Sequence, residues 1–114
     1  MKMEEILIVD CRTYTLNVGT VPKFLELFEN TGLPIQKKIL GNFLAMFKHE
    51  FGNINEVIHL WGYENFEERE ARRAQCAKDE NFINYVKEAR QYIIKQEVKL
   101  LKPTPTSPIS GLKS

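Results

Sequence analysis

The sequence predicts an α+β domain: a ferredoxin-like four-stranded sheet with its helices on one face. Three observations lead there. Four segments rich in Ile, Val, Phe and Leu read as strands, and the segments between them carry apolar residues at helical spacing. Their order is β-α-β-β-α-α-β, two β-α-β units side by side. Right-handed crossovers then place all helices on one face and make the first and third strands central neighbours.

Glu4 to Tyr14 reads as the first strand, rich in Ile, Val, Thr and Tyr and free of Gly and Pro. Asn17 to Thr20 has turn chemistry. Thr20 is placed to cap a helix with Pro22 in its first turn, where a missing N–H is harmless. Val21, Phe24, Leu25 and Phe28 form its apolar face, and Gly32 and Pro34 are expected to stop it. A second strand spans Asn42 to Glu50 and a third Glu56 to Tyr63. The loop Phe51-Gly52-Asn53-Ile54-Asn55 joins them as an antiparallel hairpin. Asn65 to Ala77 reads as a helix with Asn65 as N-cap and Glu68 completing a capping box. Asp79 caps a further helix with Phe82, Val86, Ala89 and Ile93 on one face. Gln96 to Leu101 is the last strand. Residues 1–102 thus form the domain, and 103–114 an extended tail in which Pro103, Pro105 and Pro108 prevent regular hydrogen bonding.

At 114 residues the chain is one domain's worth, with 43% apolar and 27% charged residues, enough apolar surface to fold. The net charge of +1 gives no electrostatic reason to expect nucleic acid or an anionic membrane as partner. Cys11 and Cys76 lack CxxC spacing, which argues against a zinc site or a disulfide framework. No apolar run approaches the roughly 18 to 20 residues of a spanning helix. Met1-Lys2-Met3-Glu4-Glu5 lacks a signal-peptide core. A cytoplasmic protein is expected.

The strands are apolar on both sides. Ile6 and Ile8 oppose Leu7, Val9 and Cys11. Phe43, Ala45 and Phe47 oppose Leu44 and Met46. Val57 and Trp61 oppose Ile58 and Leu60, and Val98 and Leu100 oppose Leu101. A one-sided sheet would alternate cleanly. The helices suffice for one face, so a second copy is expected on the other, making a homodimer.

Candidate chemistry centres on two strands. His59 shares a face with Val57, Trp61 and Tyr63. It is a pocket base, a metal or haem ligand, or a core histidine bonded to a neighbour. Arg12 and Tyr14 share a face with Asp10. A parallel third strand beside them would bring in His59 and Trp61 and form a pocket for a small aromatic or carboxylate ligand. The plainer alternative pairs Arg12 with Asp10 or Glu50 and leaves Trp61 as core. Arg69, Arg72 and Arg73 lie on the helix that starts at Asn65. Glu68 and Arg72 stand at ion-pair spacing, so a solvated face is expected, with Arg69 as an anion clamp the sharper reading. His49 and His59 near one hairpin would supply two metal ligands but no third, so no metal is expected. Cys11 and Cys76 read as packing residues. No phosphate loop, Walker motif or HExxH occurs, and no cofactor is expected.

Several segments together resemble the NIPSNAP family. Arg12-Thr13-Tyr14-Thr15-Leu16, then Gly19 and a helix with Phe24, are similar to its opening strand and turn. Gly41 before Phe43 to Phe47, then His49-Glu50-Phe51-Gly52, are similar to its second strand. Val57-Ile58-His59-Leu60-Trp61, Tyr63, Arg69-Glu70-Ala71-Arg72-Arg73 and Asp79 stand in the family's order, and Ser107-Pro108-Ile109 resembles its end. Asp10-Cys11 departs from the acidic-aliphatic pair common there. The resemblance implies a dimeric α/β barrel, two four-stranded sheets facing each other with helices outside. Related barrels include cofactor-independent monooxygenases, haem-degrading enzymes and ligand binders, and fold alone does not choose among them. Three readings follow. One is a homodimer binding a small molecule through Arg12, Tyr14, His59, Trp61 and Arg69. A second is a cofactor-independent oxygenase or isomerase in which Arg12 holds an anionic group and His59 or Tyr14 moves a proton. The third is a protein-interaction module. The sequence names no reaction.

Overall fold

The structure of the protein is a computed structural model that describes residues 6–109. Its elements are β1 (Ile8–Leu16), α1 (Val21–Leu27), a π-helical turn (Phe28–Gly32), α2 (Leu33–Leu40), β2 (Phe43–Lys48), β3 (Glu56–Tyr63), α3 (Phe66–Lys78), α4 (Glu80–Ala89), a 3-10 turn (Arg90–Tyr92) and β4 (Ile93–Leu101). The strands form one sheet in the order β2-β3-β1-β4, each neighbouring pair antiparallel. This is the expected α+β, ferredoxin-like arrangement. One detail is corrected: β3 runs antiparallel to β1, not parallel. The helical crossover returns the chain so that β2 runs with β1, and the hairpin then reverses it into β3. The expected strand start at Glu4, the segment Met1 to Glu5 and the tail end at 110–114 lie outside the described residues. Residues 102–109 form neither helix nor strand.

Gly32 and Pro34 do not end the first helix. Gly32 is helical at φ −66°, and the helical path continues through α2 to Leu40. The π turn widens the backbone ladder by one residue just before Pro34, where proline has no N–H to offer. Gly32 also lets Tyr85 of α4 approach closely, since a Cβ there would lie 2.4 Å from the ring's Cζ. α2 ends at Gly41, whose φ of 90° suits glycine. Thr20 does not cap α1: its hydroxyl donates to the Asn17 carbonyl at 2.7 Å and closes the preceding turn. Asn65 and Asp79 do cap. Asn65 Oδ1 accepts from Glu68 N at 2.7 Å, Glu68 Oε2 accepts from Glu64 N at 3.2 Å, and Asp79 Oδ1 accepts from Phe82 N at 2.9 Å. Ile93 is not part of α4. The 3-10 turn ends the helical rise at Tyr92, and Ile93 opens β4 opposite Leu16.

The core lies between the sheet and the helices. Leu16, Val57, Trp61 and Tyr63 pack there against Phe24, Phe28, Leu40, Cys76, Tyr85 and Ala89. In β2 a register shift between Phe43 and Ala45 changes the expected alternation. Phe43 and Met46 join the helix-covered side, opposite Trp61 and His59, while Ala45 and Phe47 sit opposite Leu60 and Ile58. Cys11, Ala45, Phe47, Ile58, Leu60 and Leu101 thus lie on the side away from the core, none of them fully buried. That side turns polar on β4, where Lys95, Glu97 and Lys99 oppose Thr15, Thr13 and Cys11. No described helix is long and apolar enough to cross a membrane.

Candidate functional site

The register of the two central strands builds the site. Arg12 of β1 faces His59 of β3, Asp10 faces Trp61 and Tyr14 faces Val57, all on the helix-covered side. Above them the helices leave a cavity of about 290 Å³. Arg12, Tyr14 and His59 line its floor, and Phe28, Gln36, Arg73, Phe82, Tyr85, Val86 and Arg90 its walls. Among the described residues, three arginines and no carboxylate border it.

Asp10 lies behind this lining, fully buried. Its carboxylate accepts from Arg12 Nη1 at 3.4 Å and from Arg69 Nε at 2.8 Å. Arg69 Nη1 also reaches Glu70 at 2.7 Å. Arg12 Nε donates to the Tyr14 hydroxyl at 3.2 Å. Burial opposes the Arg12 charge, but Tyr14 and Asp10 outweigh it and hold the guanidinium above its ordinary value. One carboxylate therefore serves two cations, and Arg73 adds a third nearby.

His59 is 2% exposed, with its ring edge-on to Tyr14 and Phe28. Trp61 Nε1 donates to His59 Nδ1 at 2.9 Å. An indole N–H only donates, so Nδ1 carries no proton and the neutral ring holds its proton on Nε2. Nε2 has no partner among the described residues. Burial pushes the imidazole down to about 3, with Arg12 and Arg73 acting the same way and Asp10 opposing. Burial likewise raises the Tyr85 phenol, so it stays protonated.

The cavity thus gathers Arg12, Tyr14 and His59. Trp61 and Arg69 stand one layer behind it: Trp61 is fully buried and fixes His59, and Arg69 fixes Asp10. His49 Nε2 sits 2.9 Å from Glu56 Oε1, and among the described residues no three His, Cys, Asp or Glu side chains gather as a metal site. Sequence reasoning missed Arg73 and Gln36. Arg73 was grouped with a solvated face, although Arg69, Arg73 and buried Cys76 form one inward stripe at steps of four and three. Arg72, as expected, pairs with Glu68 one turn earlier, at 3.0 Å. Gln36 lies in the helical stretch beyond Gly32, where no helix was expected.

The chain is 29% identical to a NipSnap homolog of Dictyostelium discoideum over 90% of its own length and 45% of that protein's, so it spans less than half of that relative. Its fold matches a NIPSNAP family protein of unknown function from Agrobacterium tumefaciens with a TM-score of 0.88 and 33% identity, covering 92% of this chain and 95% of that one. SnoaB, a cofactor-independent oxygenase from Streptomyces nogalater, shares the fold alone, with a TM-score of 0.62 and 14% identity over 89% of this chain and 96% of that one. The NIPSNAP family profile matches residues 9–108, and with nearly the whole chain accounted for in this way the protein belongs to the NIPSNAP family.

Proposed function

We propose that this protein is a homodimer that binds a small aromatic carboxylate in the cavity beside its sheet. The observation that carries the reading is the lining: among the described residues, three arginines, no carboxylate, and the aromatic rings of Tyr14, Phe28, Phe82 and Tyr85. Cationic donors favour an anionic oxygen, and the rings favour a flat apolar body. The size of the cavity, about 290 Å³, suits a single-ring ligand. An open cavity also speaks for binding over a purely structural interaction module. The oxygenase reading draws on the SnoaB fold likeness, but a histidine held neutral, with Nδ1 occupied, is a poor base near pH 7.

The second copy covers the side of the sheet that carries Ala45, Phe47, Ile58 and Leu60, as the apolar surface there calls for. The unbridged Cys11 and Cys76 suit the reducing cytoplasm. Calorimetric titration with benzoate, beside sedimentation at micromolar protein, tests both halves. Saturable heat from a dimer is expected, with Leu60→Glu sedimenting as a monomer. A monomeric wild type, or no benzoate heat, contradicts the corresponding half.

A further inference from the structure

We infer that His59 is the cavity's fixed hydrogen-bond donor: locked as the Nε2–H tautomer by Trp61, it gives that hydrogen to the anionic oxygen of an aromatic carboxylate. This rests on the cavity reading above and deepens it, assigning His59 to ligand recognition rather than to proton abstraction, and Trp61 to positioning His59.

The geometry excludes most other roles. A general base needs a free lone pair, and the lone pair at Nδ1 is already taken by Trp61 at 2.9 Å. A proton arriving there would also create a buried cation among cations. The groups facing the ring are Asp10, Arg12 and Tyr14 of β1, Phe28 of the π turn, Trp61 of β3 and Arg73 of α3. Asp10 alone among them is anionic, and it already holds Arg12 and Arg69. What remains is a buried N–H without a partner among the described residues, on a side chain that lines the cavity floor. Folded proteins rarely leave such a donor orphaned, and a ligand oxygen would satisfy it. Arg12, directly across the strand pair, would share the same carboxylate.

A neutral donor of fixed tautomer also sets specificity. It accepts nothing, so a ligand presenting an N–H at this point leaves two donors facing each other. Benzoate should therefore bind well above benzamide, its near-isostere.

The test has two readouts. The first is the imidazole nitrogen spectrum of the ligand-free protein between about pH 8 and 5, across the ordinary histidine range. The expected result is a His59 with protonated Nε2 and bare Nδ1 that does not titrate, with Trp61→Phe releasing the fixed tautomer. The second is benzoate affinity. His59→Ala should weaken it roughly tenfold or more, while His59→Gln, whose amide can place an N–H near Nε2, should hold it within about threefold of wild type. A protonated Nδ1, a ring that titrates normally, or equal benzoate binding by wild type and His59→Ala overturns this inference alone. Benzoate that does not bind wild type overturns the cavity reading together with it. The wild-type spectrum needs no variant, so a variant that fails to fold does not remove the test.

Discussion

The carboxylate of Asp10 on β1 accepts a hydrogen bond from Arg69 Nε on α3 at 2.8 Å, tying the centre of the sheet to the helix above it. The same carboxylate faces Arg12 at 3.4 Å. Removing it would leave the buried Arg12 guanidinium with no carboxylate and Arg69 with Glu70 alone. Asp10→Ala should therefore destabilise the fold by about 3 kcal/mol, in the range seen when one partner of a buried pair is removed. Urea denaturation at neutral pH checks this, and a loss within error of zero would mean that Arg12 finds another partner and that Glu70 suffices for Arg69.

Arg12 and Arg69 should separate in their effects. Arg12 lines the cavity and Arg69 does not. Arg12→Met should weaken benzoate binding by roughly 10- to 100-fold, the value of a hydrogen bond to a charged group. Arg69→Met should act mainly on stability, through Asp10. Calorimetry and thermal melts on the two variants give the comparison, and an equal loss of affinity in both would contradict the assigned roles.

His59 predicts a pH dependence of stability. The folded ring titrates at about 3, because burial, Arg12 and Arg73 disfavour its charge. In the unfolded chain it titrates at about 6.5. Between these values the unfolded state binds the extra proton, so stability is full above the unfolded value and falls as pH drops through the window. The slope is on the order of 1.4 kcal/mol per pH unit at most. Wild type should lose stability relative to His59→Gln between about pH 6.5 and 5, before the carboxylates begin to titrate. Parallel curves for the two proteins would mean an ordinary, solvated histidine.

Gly32 predicts a steric effect on the cavity. Its helical backbone would accept alanine, and propensity would then gain about 1 kcal/mol. The added Cβ would meet Tyr85 Cζ at 2.4 Å, however, and overpacking a buried contact costs about 1 to 3 kcal/mol. Overpacking should win. Tyr85 lines the cavity, so Gly32→Ala should push its ring into the ligand's space, lowering benzoate affinity along with the melting temperature. An alanine variant more stable than wild type would show that Tyr85 yields freely.

What the sequence reveals depends on how local the controlling interaction is. The hairpin of β2 and β3 and the caps at Asn65 and Asp79 are legible because each is settled by a few neighbouring residues. The helical run past Gly32 is not, because the packing of Gly32 against Tyr85, far along the chain, overrides the stop signal that Gly and Pro give locally. The loss of that helix hid Gln36. Arg12, Tyr14 and His59 can be grouped from strand alternation, and the pairing of β1 with β3 brings them to one cavity. Arg73 escaped because a run of arginines looks solvated until the helix is phased on buried Cys76. The alternation in β2 misled because a register shift turned Phe43 to the other side.

A crystal structure of the protein grown with benzoate tests the central claim most directly. The account predicts the ring among Phe28, Phe82 and Tyr85, with the carboxylate within hydrogen-bond distance of both Arg12 and His59 Nε2. Benzoate seated elsewhere, or a cavity filled only by ordered water at saturating benzoate, would contradict it.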